Sequence, residues 1–170
     1  MLDLGQADFA FKIAQTALDL WKAEVDDSYD CFEHFLIKSG RGAGWHQFSV
    51  LSSPVLAWFA AYYRPGRLTT GFDTWIHHCR FRSGNDGLKA ELELRGGSDA
   101  DAVLLATLEP GQSYSARWNG KPAPVRSAGT PDTGNPSAQF AAELKGSAAL
   151  QVTLPRNSGR GQLEVGVVPA

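Results

Sequence analysis

The chain has 170 residues, 43% of them hydrophobic and 20% charged, with a formal net charge of −2. That make-up excludes a disordered or fibrous protein and leaves room for one good core or two small ones. Charges of both signs are interspersed, without a basic face for nucleic acid or an acidic tail, so a neutral ligand is expected rather than a polyanion or a membrane surface.

In chain order, Leu4–Asp26 reads as a helix, with Ala10, Ala14, Leu18, Trp21 and Val25 on one stripe at three- and four-residue spacing. Phe9, Phe11, Ile13 and Leu20 widen the apolar share and imply burial on more than one side. Asp26, Asp27 and Ser28 close the helix and offer caps to the next element. The N-terminus lacks the basic start and apolar stretch of a signal peptide, which favours the cytoplasm, and no apolar run reaches the length of a membrane span.

Tyr29–Ser49 is the densest stretch of chemistry. Glu33 stands between Phe32 and His34, with Phe35 next and Tyr29 one helical turn earlier, and rings around a carboxylate are one way to tune an acid or base. Phe32–Ile37 itself fits a short helix or a strand; six residues do not decide. Gly40, Gly42 and Gly44 suit a turn with positive φ or a backbone lying close to a ligand. They make no phosphate loop, since no Lys-Ser/Thr comes after them. Trp45, His46 and Gln47 then supply a flat ring and two hydrogen-bonding heads, which suit the apolar face and hydroxyl rim of a sugar. His34 and His46 fit two roles equally, as contacts to a sugar hydroxyl or to Glu33, or as satisfied polar residues of a loop. Cys31 and Cys79 form no CxxC pair; free thiols or one bridge between segments both fit.

The order Phe32-Glu33-His34-Phe35, Ser39-Gly40-Arg41-Gly42-Ala43-Gly44, Gln47-Phe48-Ser49 and then an apolar helix resembles the C-terminal catalytic segment of glycoside hydrolase family 63, the processing α-glucosidases and related bacterial enzymes. Trehalases of the same clan share a looser version. The resemblance covers Asp27 to Tyr63. It implies an (α/α)6 toroid and an inverting glycosidase with Glu33 as general base and Phe32, Trp45, His46, Gln47 and Phe48 as substrate contacts. Trp45-His46 departs from the Cys/Arg-Pro-like residues usual there, and the partner acid belongs to an upstream segment.

Ser53-Pro54 starts a second helix, which runs to about Tyr63 with almost no polar face and stops at Arg64-Pro65-Gly66. From there the period changes to two. Leu88–Leu94 alternates without a fault, and Thr74–Arg82, Ala102–Leu108, Ser113–Trp118, Ala138–Leu144, Ala148–Leu154 and Gln162–Val168 are similar runs between Gly-, Pro- and Asn-rich turns. Ser127–Ser137 reads as a long surface loop. His77 and His78, as neighbours on a strand, should face opposite ways and not share a metal ion.

The expected fold is therefore α+β: residues 1–66 as the helical remnant of a toroid, residues 67–170 as an antiparallel β-sandwich. Apolar helices that a toroid would bury should leave an exposed patch here or drive self-association. The expected function is the base-bearing C-terminal part of an inverting glycosidase, inactive until completed by an acid-bearing segment. A non-catalytic carbohydrate-binding module is the alternative. A carbohydrate ligand is expected, with no cofactor, metal, nucleic acid or membrane.

Overall fold

The computed structural model describes residues 1–47, 52–96, 99–129, 148–156 and 159–169. A short 3₁₀ turn, Leu2–Leu4, is closed by Gly5 at φ 67. Helix α1 then spans Ala7–Ser28 and α2 spans Ser52–Tyr63, with a two-stranded hairpin between them, β1 (Phe32–Phe35) and β2 (Gly42–His46). Nine further strands come after α2 among the described residues: β3 (Arg67–Thr69), β4 (Thr74–Phe81), β5 (Gly87–Leu94), β6 (Ala102–Thr107), β7 (Tyr114–Trp118), β8 (Lys121–Ala123), β9 (Val125–Ser127), β10 (Ala149–Leu154) and β11 (Arg160–Val167). They form a four-stranded sheet in the order β3-β6-β10-β9 and a five-stranded sheet in the order β4-β5-β11-β7-β8, antiparallel throughout.

The alternation read along Leu88–Leu94 has its physical counterpart here: Leu88, Ala90, Leu92 and Leu94 are buried while Lys89, Glu91 and Glu93 lie on the wet face. The inward residues meet Leu104, Leu154, Val152, Leu163 and Trp118 in the core between the sheets. Each fully buried leucine there contributes roughly 1.5–3 kcal/mol relative to an exposed one.

Strand β6 is buried on both faces, which explains why its sequence, AVLLAT, does not alternate. Leu104 and Ala106 enter the sandwich core, whereas Leu105 meets Phe11, Ala14, Ala61 and Tyr62 from the two helices. Phe11 and Tyr62 cross edge to face with ring centroids 5.2 Å apart. Polar clips reinforce the contact. Asp8 accepts from Arg126 and Gln151, each at 3.0 Å, and the buried Arg156 guanidinium donates to the Asp3, Ala100 and Arg95 carbonyls. The helical segment is thus fastened to the outer face of the four-stranded sheet. Its other side stays bare: Phe9, Ile13 and Leu56 are exposed on α1 and α2.

Several expectations need correction. Helix α1 begins at Ala7, because Leu2–Leu4 winds into its own turn, and it runs on to Ser28. Its buried stripe is Ala7, Phe11, Ala14 and Leu18, rotated from the one expected, and it includes Gln15, Asp19 and Glu24. Those polar residues are inside because they have partners there: Tyr63 donates to Gln15, which donates to Asp19 at 3.0 Å, and Glu24 holds the hairpin. Burial pushes the Asp19 carboxyl above its ordinary pKa and the Tyr63 phenol up to about 12. Phe32–Phe35 is a strand, so Tyr29 does not stand a helical turn from Glu33; Tyr29 is the left-handed residue that ends α1, at φ 55. Strands β3, β8 and β9, three residues each, are too short to show a period. The expected loop at Ser127–Ser137 begins as the end of β9, while most of it and the expected strand Ala138–Leu144 lie outside the described residues. Both cysteines are free thiols.

Candidate functional site

The hairpin is shaped by its glycines. Gly40 closes the loop at φ 67, its amide donating to the Leu36 carbonyl at 2.8 Å. A Cβ on Gly42 would sit 2.1 Å from the Phe32 ring, so the ring occupies the space a side chain would need. Between the pairs Phe32↔His46 and His34↔Ala43 the register slips by one residue. Gly44, at φ 89, lies in that slip, a bulge position that favours glycine and re-aims the side chain opposite. A Cβ there would meet Glu33 Oε2 at 2.7 Å and His34 Cε1 at 3.1 Å, so the Glu33 carboxylate rests over bare backbone. The close approach anticipated for the glycine run is therefore made by Phe32 and Glu33.

Besides Asp27, which pairs with Arg41, three carboxylates stand at the hairpin, and their settings differ. Glu24, buried on α1, accepts from the Gly42 amide at 2.7 Å and pairs with Arg41 Nε at 3.1 Å; Arg41 also reaches Asp27 at 2.7 Å. The Gly42 amide first, then Ser28 and Arg41, holds the Glu24 carboxyl below its ordinary pKa. Asp30 accepts from the Cys31 amide at 2.8 Å, the Gln47 amide at 2.9 Å and His46 Nδ1 at 2.8 Å, and the His46 contact leads in lowering its pKa. An ionised Asp30 only accepts, so Nδ1 of His46 carries the proton and Nε2 of the neutral ring is left to accept. Glu33 is the third. Among the described residues it takes part in no hydrogen bond, its side chain is 46% exposed, and its ionic contact is to His34 Nδ1 at 4.0 Å.

The other expected contacts are distributed around this carboxylate. Phe32 and His46 stack obliquely, 5.0 Å between centroids. Trp45 is 72% exposed, one residue from Gly44. Gln47 sits at φ 55 with its amide bound to Asp30. Phe48 lies outside the described residues. Sequence reasoning missed the tethering by Glu24 and Asp30. The signal for Asp30 was its position just past a helix end, where aspartate bonds nearby amides; nothing local marked Glu24, whose partner lies far along the chain.

A groove of about 650 Å³ lies elsewhere, between the N-terminal turn, α1, α2 and the Thr69–Phe72 segment, with Ile13, Trp58, Tyr62 and Leu105 among its walls. It offers apolar surface; its one carboxylate, Asp3, is paired with Arg156 at 3.5 Å. For acid–base chemistry the hairpin, with its cluster of carboxylates and histidines, is the better candidate. His77 and His78 also need correction: a bulge between Ile76 and His78 turns both to the outer face of the five-stranded sheet, where His77 bonds Glu93 at 2.8 Å and His78 stands opposite Glu91. Among the described residues no His, Cys, Asp or Glu group is arranged to hold a metal ion, and no helix is long and apolar enough to cross a membrane.

Compared with known protein families, curated proteins and solved structures, the chain gives no match.

Proposed function

We propose that this chain is the C-terminal part of an inverting glycosidase of the α-glucosidase type, with Glu33 as its general base. The observation that carries the reading is the contrast among the hairpin carboxylates: Glu24 and Asp30 are held by hydrogen bonds, whereas the Glu33 side chain is 46% exposed and its carboxylate accepts none among the described residues. The role given to Glu33 itself comes from the resemblance of the Asp27–Tyr63 stretch to family 63.

In this reading an ionised Glu33 takes a proton from a water as that water attacks the anomeric carbon. An acid on a separate segment protonates the leaving oxygen from about 6.5–9.5 Å away. Trp45 supplies a flat face for the sugar, and His46, oriented by Asp30, supplies a hydrogen-bonding nitrogen at its rim. Phe32, Gln47 and Phe48 complete the wall. The helices α1 and α2 would continue a toroid through their exposed apolar faces.

In the enzyme that joins this chain to an acid-bearing segment, Glu33→Gln should lower turnover of an α-glucoside by about 10²-fold or more with binding kept. Near-normal turnover would end the assignment. A second reading, a non-catalytic carbohydrate-binding module, draws on the open setting of Glu33 and Trp45; it predicts sugar binding that Trp45→Ala weakens and Glu33→Gln leaves without catalytic consequence.

A further inference from the structure

The outer face of the five-stranded sheet gathers charge that composition hides. Strand register places Arg80 of β4 beside Lys89 of β5, Lys89 beside Glu164 of β11, and Glu164 beside Arg117 of β7, all on the wet face. Adjacent strands lie about 4.8 Å apart, so this row runs roughly 14 Å across the sheet. A further cation joins it at one side. Gly87 and Gly166 are paired across β5 and β11, and with no side chains between them the Arg82 guanidinium lies over the strands: a Cβ on Gly166 would stand 3.5 Å from it.

The row is not internally neutralised. Lys89 and Glu164 satisfy each other at 2.7 Å. Among the described residues, Arg80, Arg82 and Arg117 have no ion pair and no side-chain hydrogen bond. Arg117 and Arg82 both act on Glu164, whose carboxyl is held below the ordinary range chiefly by Lys89. Sharing Arg80, Lys89 and Glu164 with the row is a small groove of about 250 Å³, which His78, Glu91 and Gln162 also line. Three guanidiniums without an ion-pair partner among the described residues, next to the hydrogen-bonding heads of His78 and Gln162, make an anion-binding surface.

The spacing selects among anions. Glu91, Glu93 and Glu164 share this face, ion-paired with Arg160, Arg95 and Lys89 respectively, so the unpaired cations stand apart instead of forming the dense basic patch that a polyphosphate or an anionic bilayer needs. A polymer with one separated carboxylate per unit suits cations set apart in this way, and the exposed ring of this face, Trp75, lies under Arg95 instead of offering a bare platform on which bases could stack. We propose that this face binds a uronate-bearing polysaccharide, its carboxylates on Arg80, Arg82 and Arg117 and its hydroxyls on His78 and Gln162. The proposal shares no residue with the hairpin and stands without it. It departs from the expectation of a neutral ligand, because strand register brings together cations that are far apart in sequence.

The test is affinity electrophoresis of the full chain through polygalacturonate, dextran and heparin, beside binding of a single-stranded oligothymidylate. Polygalacturonate should retard the chain, dextran should not, and the retardation should fade with added salt. The Arg82→Gln/Arg117→Gln double variant should bind polygalacturonate about tenfold or more weakly, whereas Lys12→Gln, on α1, should match the wild type. Absence of retardation, equal binding by the double variant, or tighter binding of heparin or the oligonucleotide than of polygalacturonate would each overturn the proposal.

Discussion

The sandwich and the hairpin are held by different physics. In the sandwich, Leu92, Leu104, Leu154 and Leu163 are fully buried between two sheets, and β6 is covered on its second face by helices. In the hairpin every residue is half-buried or exposed, and the hairpin is fixed to α1 and the connector after it by a short set of charge-assisted bonds from Glu24 and Asp30. Apolar burial spreads stability over many contacts. A few carboxylate tethers concentrate it in groups that titrate, and segments of that kind open locally before the domain unfolds. The arrangement leaves Glu33 and Trp45 facing water on a scaffold that does not itself need them.

The difference can be broken most strongly from the sandwich side. Leu104→Ala should cost about 2–5 kcal/mol and lower the midpoint of the whole denaturant transition; a loss confined to the helices would contradict the shared core. Glu24→Ala should act locally, removing the acceptor of the Gly42 amide and speeding its hydrogen exchange roughly ten- to a hundredfold. The exchange of Leu92 and Leu163 amides should hardly move in that variant.

Acidification should give the smallest and most graded effect. The folded-state pKa values of Glu24 and Asp30 are depressed, so their tethers contribute fully above the ordinary carboxylate value of about 4 and are lost as pH falls through the lower folded values. Asp19, raised by burial, has the opposite sign: its ionised form is the costly one, and protonation relieves it. Hairpin amides should therefore lose protection at a pH where the sandwich amides keep theirs. Simultaneous loss of both would show that the hairpin is not a separate unit.

The same contrast explains which elements could be read from the sequence. Period-two alternation exists because one face of a strand is dry, so β4, β5, β7, β10 and β11 were legible within a residue or two at each end. The run of Ala102–Leu108 was legible as a strand, yet only the helices lying on it account for its lack of alternation. The stripe of α1 was misplaced because Gln15, Asp19 and Glu24 are buried by partners distant in sequence. In the candidate site the cluster from Phe32 to Gln47 was visible as composition. The division of labour among Glu24, Asp30 and Glu33 was not, since it depends on which carboxylate finds amides to accept from. The cation row was hidden for the same reason: Arg80, Lys89, Arg117 and Glu164 become neighbours only through strand register.

The most direct measurement is to compare Glu33→Gln, Asp30→Asn and Glu24→Gln in the enzyme containing the acid-bearing segment, recording α-glucoside turnover and hairpin amide exchange for each. Glu33→Gln should lose turnover by about 10²-fold or more with the exchange of Gly42 and Gln47 unchanged, while Glu24→Gln and Asp30→Asn should speed that exchange. Full turnover in Glu33→Gln, or a loss of turnover accompanied by an equally loosened hairpin, would contradict the account.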